Sequence, residues 1–418
     1  MSPQKSTTAL TKAAKRALVP KLRFPEFRGA GAWKPITLQE ASTLVAERVG
    51  KRKLTPVSIS AGVGFVPQAE KFGRDISGNQ YQLYTLVRDG DFVFNKGNSL
   101  KFPQGCIYLL EGWGQVAAPN VFICFRLKDG YSNGFFQNCF EQNQHGRQLK
   151  RHITSGARSN GLLNISKETF FGVEIPTPTP AEQQKLAECL SSVDELIAAQ
   201  ARKVDALKTH KKGLMQQLLP REGETQPRLR FPEFQNAPAW KVKPLGKVAE
   251  NFDNQRVPIT SSDRNAGDVP YYGASGIVDY VDGFIFDEDL LCISEDGANL
   301  VARTYPIAFP ISGKTWVNNH AHVLRFENAC TQKFVEVYLN SIKLDDFITG
   351  MAQPKLNKAM LDRIPIPHTS VPEQQRMASC LSNLDALITA EAQKLVTFRT
   401  HKKGLMQQLF PSPEEVAT

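Results

Sequence analysis

The chain repeats itself, and this duplication constrains its fold more than any single motif does. HKKGLMQQLLP, which begins at His210, returns as HKKGLMQQLFP at His401. PKLRFPEF, which begins at Pro20, returns as PRLRFPEF at Pro227. Repeats on this scale predict two copies of one structural unit.

The two copies are not equally alike along their length. Of the 39 positions in 182–220, 24 are identical to their counterparts in 373–411. The middle of each copy keeps only fragments, such as Asn120 opposite Asn319. Each half therefore has a constant front segment, a divergent globular body and a constant tail. We expect the two divergent bodies to have different functions.

The constant tails predict two long helices with a heptad seam. In each tail the seam positions are spaced alternately four and three residues apart, as in the a and d positions of a coiled coil. In the first tail they are Leu186, Leu190, Val193, Ile197, Gln200, Val204, Leu207, Lys211, Leu214 and Leu218. In the second they are Met377, Leu381, Leu384, Ile388, Glu391, Leu395, Phe398, Lys402, Leu405 and Leu409.

Two copies of one seam indicate that the helices pack on each other, antiparallel. The polar seam residues Gln200 and Glu391 then face each other at the centre of the coiled coil and fix its register. The alternative is that each amphipathic helix packs only on its own domain.

Composition indicates a partner and a compartment. A net charge of +10 favours a polyanionic partner such as nucleic acid. The seven cysteines are scattered and include no CxxC pair, which predicts reduced thiols in a cytoplasmic protein and no zinc site. No apolar run approaches the roughly 18 residues of a membrane helix. Residues 1–19 are basic but lack a long apolar core, so we interpret them as a flexible leader.

The repeated motifs carry a family resemblance. LRFPEF stands at 22–27 and 229–234, EQQ entries stand at 182–184 and 373–375, and KKGLMQQL stands at 211–218 and 402–409. The second body adds YYGASGIVDY (271–280) and GKTWVNNHAHVLRF (313–326). From about residue 20 onward the chain resembles the DNA specificity (S) subunit of type I restriction–modification systems.

The resemblance implies a mixed α+β fold with internal pseudo-twofold symmetry, in which two target recognition domains are joined by two long antiparallel helices that form a coiled coil. It predicts a target recognition domain over 20–179, a long helix over 180–219 and a linker over 220–235. A second target recognition domain is expected over 236–371, a second helix over 372–411 and a tail over 412–418.

The resemblance also implies a function. Each body would read one half of a bipartite site in double-stranded DNA, and the coiled coil would set the spacer. Two methyltransferase subunits, each holding S-adenosylmethionine, would methylate adenines, and restriction subunits would use ATP and Mg. The chain itself would be non-catalytic and hold no cofactor or metal. The alternative is a duplicated coiled-coil scaffold that joins two partner copies without reading bases.

Two further motifs suggest other chemistry. The segment 308–315 matches a relaxed phosphate-loop pattern, but it contains Phe309 and Pro310 and is followed by a strand-like alternation rather than a helix. His320 and His322 flank Ala321 on a predicted strand and share a face, but the sequence indicates no third metal ligand. We therefore predict neither a nucleotide site nor a metal site.

Candidate DNA contacts are long polar side chains in glycine-bounded loops or on strand faces. A solvated turn is the alternative at each position. In the first body they are Lys96, Asn98, Ser99 and Lys101, with Arg158 and Asn160 after the basic run HGRQLKRH. In the second body they are Arg303, Lys314, Trp316, Asn318, Asn319 and His320, with Gln353 and Lys355 at the place that matches the loop of Arg158.

Overall fold

The fold is known from a computed structural model that describes residues 17–97, 102–153, 163–221, 224–350 and 353–411. Internal contacts divide the chain into two compact units. The first unit contains the chain up to Ala199 and from Leu395 onward, and the second contains residues 200–394. Each unit therefore includes one globular body and a part of both tails, so the division differs from the contiguous segments expected from the sequence.

The first unit is built on two four-stranded sheets and a two-stranded ribbon. The ribbon pairs β1 (Lys34–Thr37) with β10 (Glu174–Thr177). One sheet has the order β2 (Ser42–Leu44), β9 (Ile123–Leu127), β6 (Asp91–Asn95), β7 (Cys106–Leu109). The other has the order β4 (Gly64–Pro67), β3 (Thr55–Ser60), β8 (Gln115–Ala118), β5 (Thr85–Arg88). Its short helices are α1 (Leu38–Ala41), α2 (Gln68–Phe72), α3 (Asn133–Glu141), α4 (Gln144–Leu149) and α5 (Lys167–Phe171).

The first unit has apolar cores on both faces of β6. Val93 faces a cluster with Val57 and Val116 of the other sheet. Phe92 and Phe94 point the opposite way, into an aromatic cluster beneath α3 and α5. Because successive side chains of a strand alternate between faces, a strand with a core on each side reads as a continuous apolar run, as DFVFN nearly does.

The second unit has the same plan. A ribbon pairs β11 (Lys241–Pro244) with β20 (Pro365–His368). One sheet has the order β12 (Ala249–Asn251), β19 (Ala321–Phe326), β16 (Leu290–Ser294), β17 (Ala308–Ile311). The other has the order β14 (Gly276–Val281), β13 (Ala266–Gly273), β18 (Lys314–Val317), β15 (Phe286–Asp287). Its short helices are α7 (Asn299–Ala302), α8 (Ala329–Ser341) and α9 (Lys358–Leu361).

Every strand of the first unit has a counterpart ten strands later, in the same position of the corresponding sheet. The duplication therefore includes the bodies, although their sequences have diverged. The predicted mixed α+β architecture with two sheet-rich domains is confirmed.

The two long helices are α6 (Pro180–Leu218) and α10 (Val371–Leu409), each of 39 residues and within two residues of the predicted bounds. Every predicted seam position on both is buried or half-buried. Pro180 opens the first helix, where a missing amide hydrogen costs nothing. Pro220 and Pro411 follow the helix ends, since proline cannot continue the hydrogen-bond ladder.

The helices pack antiparallel within each unit. In the first unit Nζ of Lys402 lies 2.8 Å from a carboxylate oxygen of Asp194, and Leu186 shares a cluster with Leu409. In the second unit Leu218 shares a cluster with Met377. In both cases an early position on one helix meets a late position on the other, which is the antiparallel arrangement expected from the seam.

The polar seam residues are in direct contact in the second unit. Nε2 of Gln200 donates to Oε2 of Glu391 at 2.6 Å and to the main-chain oxygen of the same residue at 2.9 Å. Gln200, Lys394 and Lys203 together lower the pKa of Glu391 to about 2. The carboxylate is therefore ionised across the physiological range, and a shifted register would bury this charge without these partners.

The front segments pack against the start of one long helix and the end of the other. The guanidinium of Arg23 forms a two-pronged ion pair with Glu182, at 2.6 and 2.7 Å, and Nε1 of Trp33 lies 3.3 Å from the same carboxylate. The amide of Leu22 donates to the main-chain oxygen of Gln408 at 2.9 Å.

The second unit repeats both contacts. Arg230 pairs with Glu373 at 2.6 and 2.8 Å, and Leu229 donates to Gln217 at 2.9 Å. The repeated LRFPEF and EQQ motifs are thus the two sides of one contact, present once in each unit.

The cysteines fall into two groups. Burial raises the thiol pKa of Cys106, Cys124, Cys139 and Cys292. Cys189, Cys330 and Cys380 are half-buried. Within the described residues, none of the helices has the length and apolar character that crossing a bilayer requires.

Replacing Arg23 by Ala should destabilise the first unit by about 3–5 kcal/mol, because the carboxylate of Glu182, 1% exposed, would be left buried without its partner. Thermal unfolding followed by circular dichroism would show a transition at a lower temperature. The matched control is Arg28→Ala, at an exposed position five residues on. Equal melting curves for the two variants would show that the ion pair does not hold this unit together.

Candidate nucleic-acid interface

Four segments of the second unit meet where the central strands end. We call them the second strand-end cluster: residues 274–275 after β13, 295–298 after β16, 318–320 after β18, and 353–357. The amide of Glu295 donates to the oxygen of His320 at 2.9 Å, and that of Leu356 donates to the oxygen of Glu295 at 2.7 Å. The hydroxyl of Ser294 donates to the oxygen of Ala274. These bonds hold otherwise irregular segments in one surface.

Four of the predicted contacts lie together on this cluster. Asn319, His320, Gln353 and Lys355 are all exposed. Nδ1 of His320 lies 2.8 Å from Asp296, and Nζ of Lys355 lies 3.3 Å from Glu295. Amide, imidazole and ammonium groups side by side can bond base edges and phosphates in a groove.

The other predicted residues of the second body lie elsewhere or point inward. Asn318 is 7% exposed, and its Oδ1 accepts from the amide of His320, so it shapes the turn rather than projecting from it. Nε1 of Trp316 donates to the oxygen of Val257 at 2.7 Å. Lys314 stands at the opposite end of β18, about 13 Å away along the strand, with its ammonium 4.7 Å from the ring centre of Phe284.

Arg303 lies outside the second strand-end cluster. It has a left-handed backbone (φ 52°), and its guanidinium donates to the main-chain oxygens of Leu300 and Leu339 at 3.0 and 3.3 Å. Burial lowers its pKa. It lines a cleft of about 480 Å³ beside α6 and α8, together with Lys211 and Lys333.

The phosphate-loop-like segment does not form a loop that leads into a helix. Its first four residues form β17 and its last two begin β18, and Gly313 makes the turn between them with φ of +63°. The strand expected after this segment is present, and the geometry does not offer the ring of amides that cradles phosphate.

His322 lies in an ion network that the sequence did not reveal. Unlike the exposed His320, it is buried on β19, and its two ring nitrogens lie 2.6 Å from Asp253 and 2.7 Å from the main-chain oxygen of Leu356. Arg256 bonds Glu295 at 2.6 Å on the same side. Because both ring nitrogens are engaged and Arg256 supplies positive charge, the arrangement is a network of paired charges rather than a metal site. Asp253, Glu295 and His322 are 27 or more positions apart, and no motif links them.

The first unit has an equivalent surface, the first strand-end cluster: residues 61–63 after β3, Asn95 at the end of β6 with 96–97 after it, 119–122 after β8, and Leu163. The amide of Leu163 donates to the oxygen of Lys96 at 2.9 Å, as Leu356 does to Glu295. Nδ2 of Asn95 donates to the oxygen of Ile59 at 2.9 Å. Lys96 is the predicted contact that the structure places here. Asn98, Ser99, Lys101, Arg158 and Asn160 lie outside the described residues.

The basic run before the loop of Arg158 is surface-exposed. Arg147, Lys150 and Arg151 are exposed at the end of α4 and in the turn that follows. Flexible cations at this position can contact phosphates without reading bases.

His145, in the same run, belongs instead to the core beneath the first strand-end cluster. Its ring packs edge-on against Phe94 and Phe140, with ring centres 6.1 and 5.7 Å apart. Burial lowers its pKa from the usual 6.5 to about 4, because an apolar site disfavours the charged ring.

Comparison with known proteins finds similarity to one family over part of the chain. Residues 238–397 match the family model of the type I restriction modification DNA specificity domain. A putative type I restriction enzyme specificity subunit of Haemophilus influenzae is 38% identical over 145 residues, which cover 35% of this chain. The chain spans 37% of the length of that curated relative.

Two solved structures share the fold. The S subunit of a type I restriction–modification system from M. genitalium superposes with a TM-score of 0.57 at 16% identity, covering 94% of this chain and 100% of that one. A structure described as the basis of complex assembly and conformational transition of the type I system gives 0.55 at 15% identity, covering 91% and 98%.

Acid should destabilise the first unit through His145. The folded unit holds the ring neutral, so as the pH falls below about 6.5 the unfolded chain binds the proton first. Stability is then lost progressively until the pH reaches about 4, by roughly 3 kcal/mol in total. Urea unfolding at pH values across this window measures the loss. His145→Leu should lose less stability than the parent over the window, whereas His152→Leu, at an exposed site, should follow the parent. Parallel curves for all three proteins would exclude this role.

Proposed function

We propose that the chain is a DNA specificity subunit of a type I restriction–modification system and that it reads a bipartite DNA target. Each strand-end cluster would read one half-site in double-stranded DNA, and the coiled coil would set the spacer between them. Partner subunits would carry out adenine methylation and restriction at the recognised site.

The observation that carries this proposal is one framework bearing two different sets of side chains. The strand orders of the two units are the same, and the bond from Leu163 to Lys96 has its counterpart in the bond from Leu356 to Glu295. The side chains on the two surfaces differ, as Lys96 against Glu295 illustrates. A duplicated scaffold with different polar groups in equivalent places is what reading two unlike half-sites requires.

Charge and helix length support a DNA ligand. The net charge is +10, and Lys150 and Arg151 are exposed in the basic run that precedes the loop of Arg158. A helix of 39 residues is about 58 Å long, which exceeds the roughly 34–36 Å of one DNA turn. Two domains held by helices of that length could therefore reach two half-sites about one turn apart.

Catalysis and cofactors are assigned to the partners in this proposal. Two methyltransferase subunits would each hold S-adenosylmethionine and flip out an adenine, since a base inside the duplex is out of reach. Restriction subunits would use ATP and Mg. The chain would act in the cytoplasm, where its partners and DNA are found.

The outer face of the coiled coil supports two equivalent docking positions. Leu196 on α6 and Leu387 on α10 occupy corresponding positions of the repeat, off the seam, and are 56% and 42% exposed. An exposed leucine at both equivalent positions could bind two copies of one partner in the same way.

Methylation profiling tests the DNA-reading function. The chain would be produced with its methyltransferase partner in a host without other adenine methylation, and modified adenines would be mapped across the genome. We expect a split motif with one modified adenine in each half, on opposite strands. The scaffold alternative predicts no sequence motif and a shallow salt dependence of DNA binding, whereas several phosphate contacts give a steep one.

Docking at the exposed leucines is tested by charge insertion. Leu196→Glu and Leu387→Glu should each lower the number of bound methyltransferase subunits from two to one, since each removes about 1.5–3 kcal/mol of apolar burial and adds a desolvation cost. Native mass spectrometry counts the subunits. Ser191→Glu adds the same charge on another face of α6 and should retain both copies. Unchanged stoichiometry in both leucine variants would exclude this surface.

A further inference from the structure

We propose that His322 is a positioning residue whose doubly protonated ring holds residues 353–357 in place for DNA reading. Recognition of the second half-site, and not of the first, would then weaken as the pH rises. This inference rests on the proposed function, because it concerns how one of the two reading surfaces is kept in shape.

The hydrogen-bond partners of His322 require a proton on each ring nitrogen. Nε2 lies 2.7 Å from the main-chain oxygen of Leu356, which can only accept. Nδ1 lies 2.6 Å from Oδ2 of Asp253. Burial raises the pKa of Asp253, but the bond and charge of His322, with the amide of Val323, outweigh it and leave that pKa lowered. Oδ1 of Asp253 also accepts from the amide of Val323 at 3.0 Å, and Arg256 lies 3.5 Å from Oδ2, so Asp253 is placed as a carboxylate that accepts from Nδ1 and the ring is placed to donate from both nitrogens.

The charges around the ring explain how it can be 1% exposed and still carry a proton. Asp253 faces Nδ1 directly, and a carboxylate oxygen of Glu295 lies 3.7 Å from the same nitrogen. Arg256 contacts both carboxylates, at 3.5 and 2.6 Å, and Lys355 lies 3.3 Å from Glu295. Buried charges persist when paired in this way, and removing one leaves its partners uncompensated.

The ring links the strand-end cluster to the body of the domain. Asp253 follows β12, His322 lies on β19, and the acceptor Leu356 belongs to residues 353–357. The same segment is held to β16 through the amide of Leu356 and the oxygen of Glu295. Gln353 and Lys355, which are exposed candidate readers, immediately precede this anchor.

Loss of one ring proton would break this link. A neutral imidazole has one N–H and cannot donate to both Asp253 and Leu356. One buried oxygen would then face a lone pair, and either the anchor of residues 353–357 or the pairing of Asp253 would be lost. The readers on the segment would keep their chemistry but lose their fixed position.

The first unit provides an internal control. Main-chain bonds align the two frameworks, because Val45 donates to Cys124 at 2.8 Å as Phe252 donates to Val323 at 2.8 Å. In this alignment, Ile123 is equivalent to His322, one residue before Cys124 and Val323, and Ala46 is equivalent to Asp253, one residue after Val45 and Phe252. Lys96 is equivalent to Glu295. Ile123 is buried and cannot titrate, so the anchor of the first strand-end cluster carries no such proton.

Selection from a pool of random DNA duplexes tests the proposal with the full chain and its methyltransferase partner. Bound duplexes would be sequenced after selection at pH values from about 6.5, the ordinary pKa of histidine, to about 9. We expect base discrimination in the second half-site to fall about tenfold relative to the first as the pH rises.

Two variants identify the group responsible. His322→Gln should remove the difference between the half-sites in their response to pH. His320→Gln removes the neighbouring exposed pair with Asp296, and whatever it does to affinity, the pH response of the second half-site should remain. Circular dichroism would check that each variant folds. If a variant does not fold, the pH series of the parent protein still tests the proposal.

The outcomes separate the two proposals. A split motif whose halves respond to pH alike would overturn the role of His322, and so would a pH response abolished by His320→Gln. Absence of any split motif at every pH would contradict the proposed function itself, and the inference would fall with it.

Discussion

The structure depends on a buried ion pair that is made once in each unit. Arg23 reaches the first turn of α6 and pairs with Glu182, and Arg230 does the same for Glu373 on α10. The carboxylate also lies in the first helical turn, where the positive end of the helix dipole stabilises negative charge. One contact thus fixes the front segment and the helix entry together. Loss of either partner would leave a buried charge without compensation. This cost explains why both motifs are present in both copies.

This constant frame leaves the strand-end loops free to differ. Hydrogen bonds between main-chain atoms, such as that from Leu356 to Glu295, do not depend on side-chain identity. Substitutions in these loops can therefore change the exposed side chains while the sheets keep their order. If the loops read DNA as proposed, the frame and the reading groups are separable because different classes of interaction hold them.

Much of the frame could be predicted from the sequence. Heptad spacing identified both long helices, and the pairing of Gln200 with Glu391 follows from two polar residues at equivalent seam positions. Repeated motifs identified the duplication even where the bodies have diverged. These features are local or periodic, and periodicity is visible in a sequence.

The candidate site was predicted less well, because its parts are far apart in the chain. Asp253, Glu295 and His322 meet only after three strands pair. Asn318 and Arg303 have the residue types expected of DNA readers, but one caps a turn and the other bonds main-chain oxygens within its own domain. Residue type indicates what a side chain can do, whereas the fold decides which way it points.

The distribution of thiols has a practical consequence. Cys189 and Cys380 occupy corresponding positions near the starts of α6 and α10, one in each unit, and both are half-buried, while burial holds four of the other thiols in their unreactive protonated form. Alkylating probes would therefore favour this matched pair, together with Cys330. With Cys330 replaced by Ser, spin labels at the two native positions would report, without any engineered cysteine, whether the units change their separation when a duplex is added.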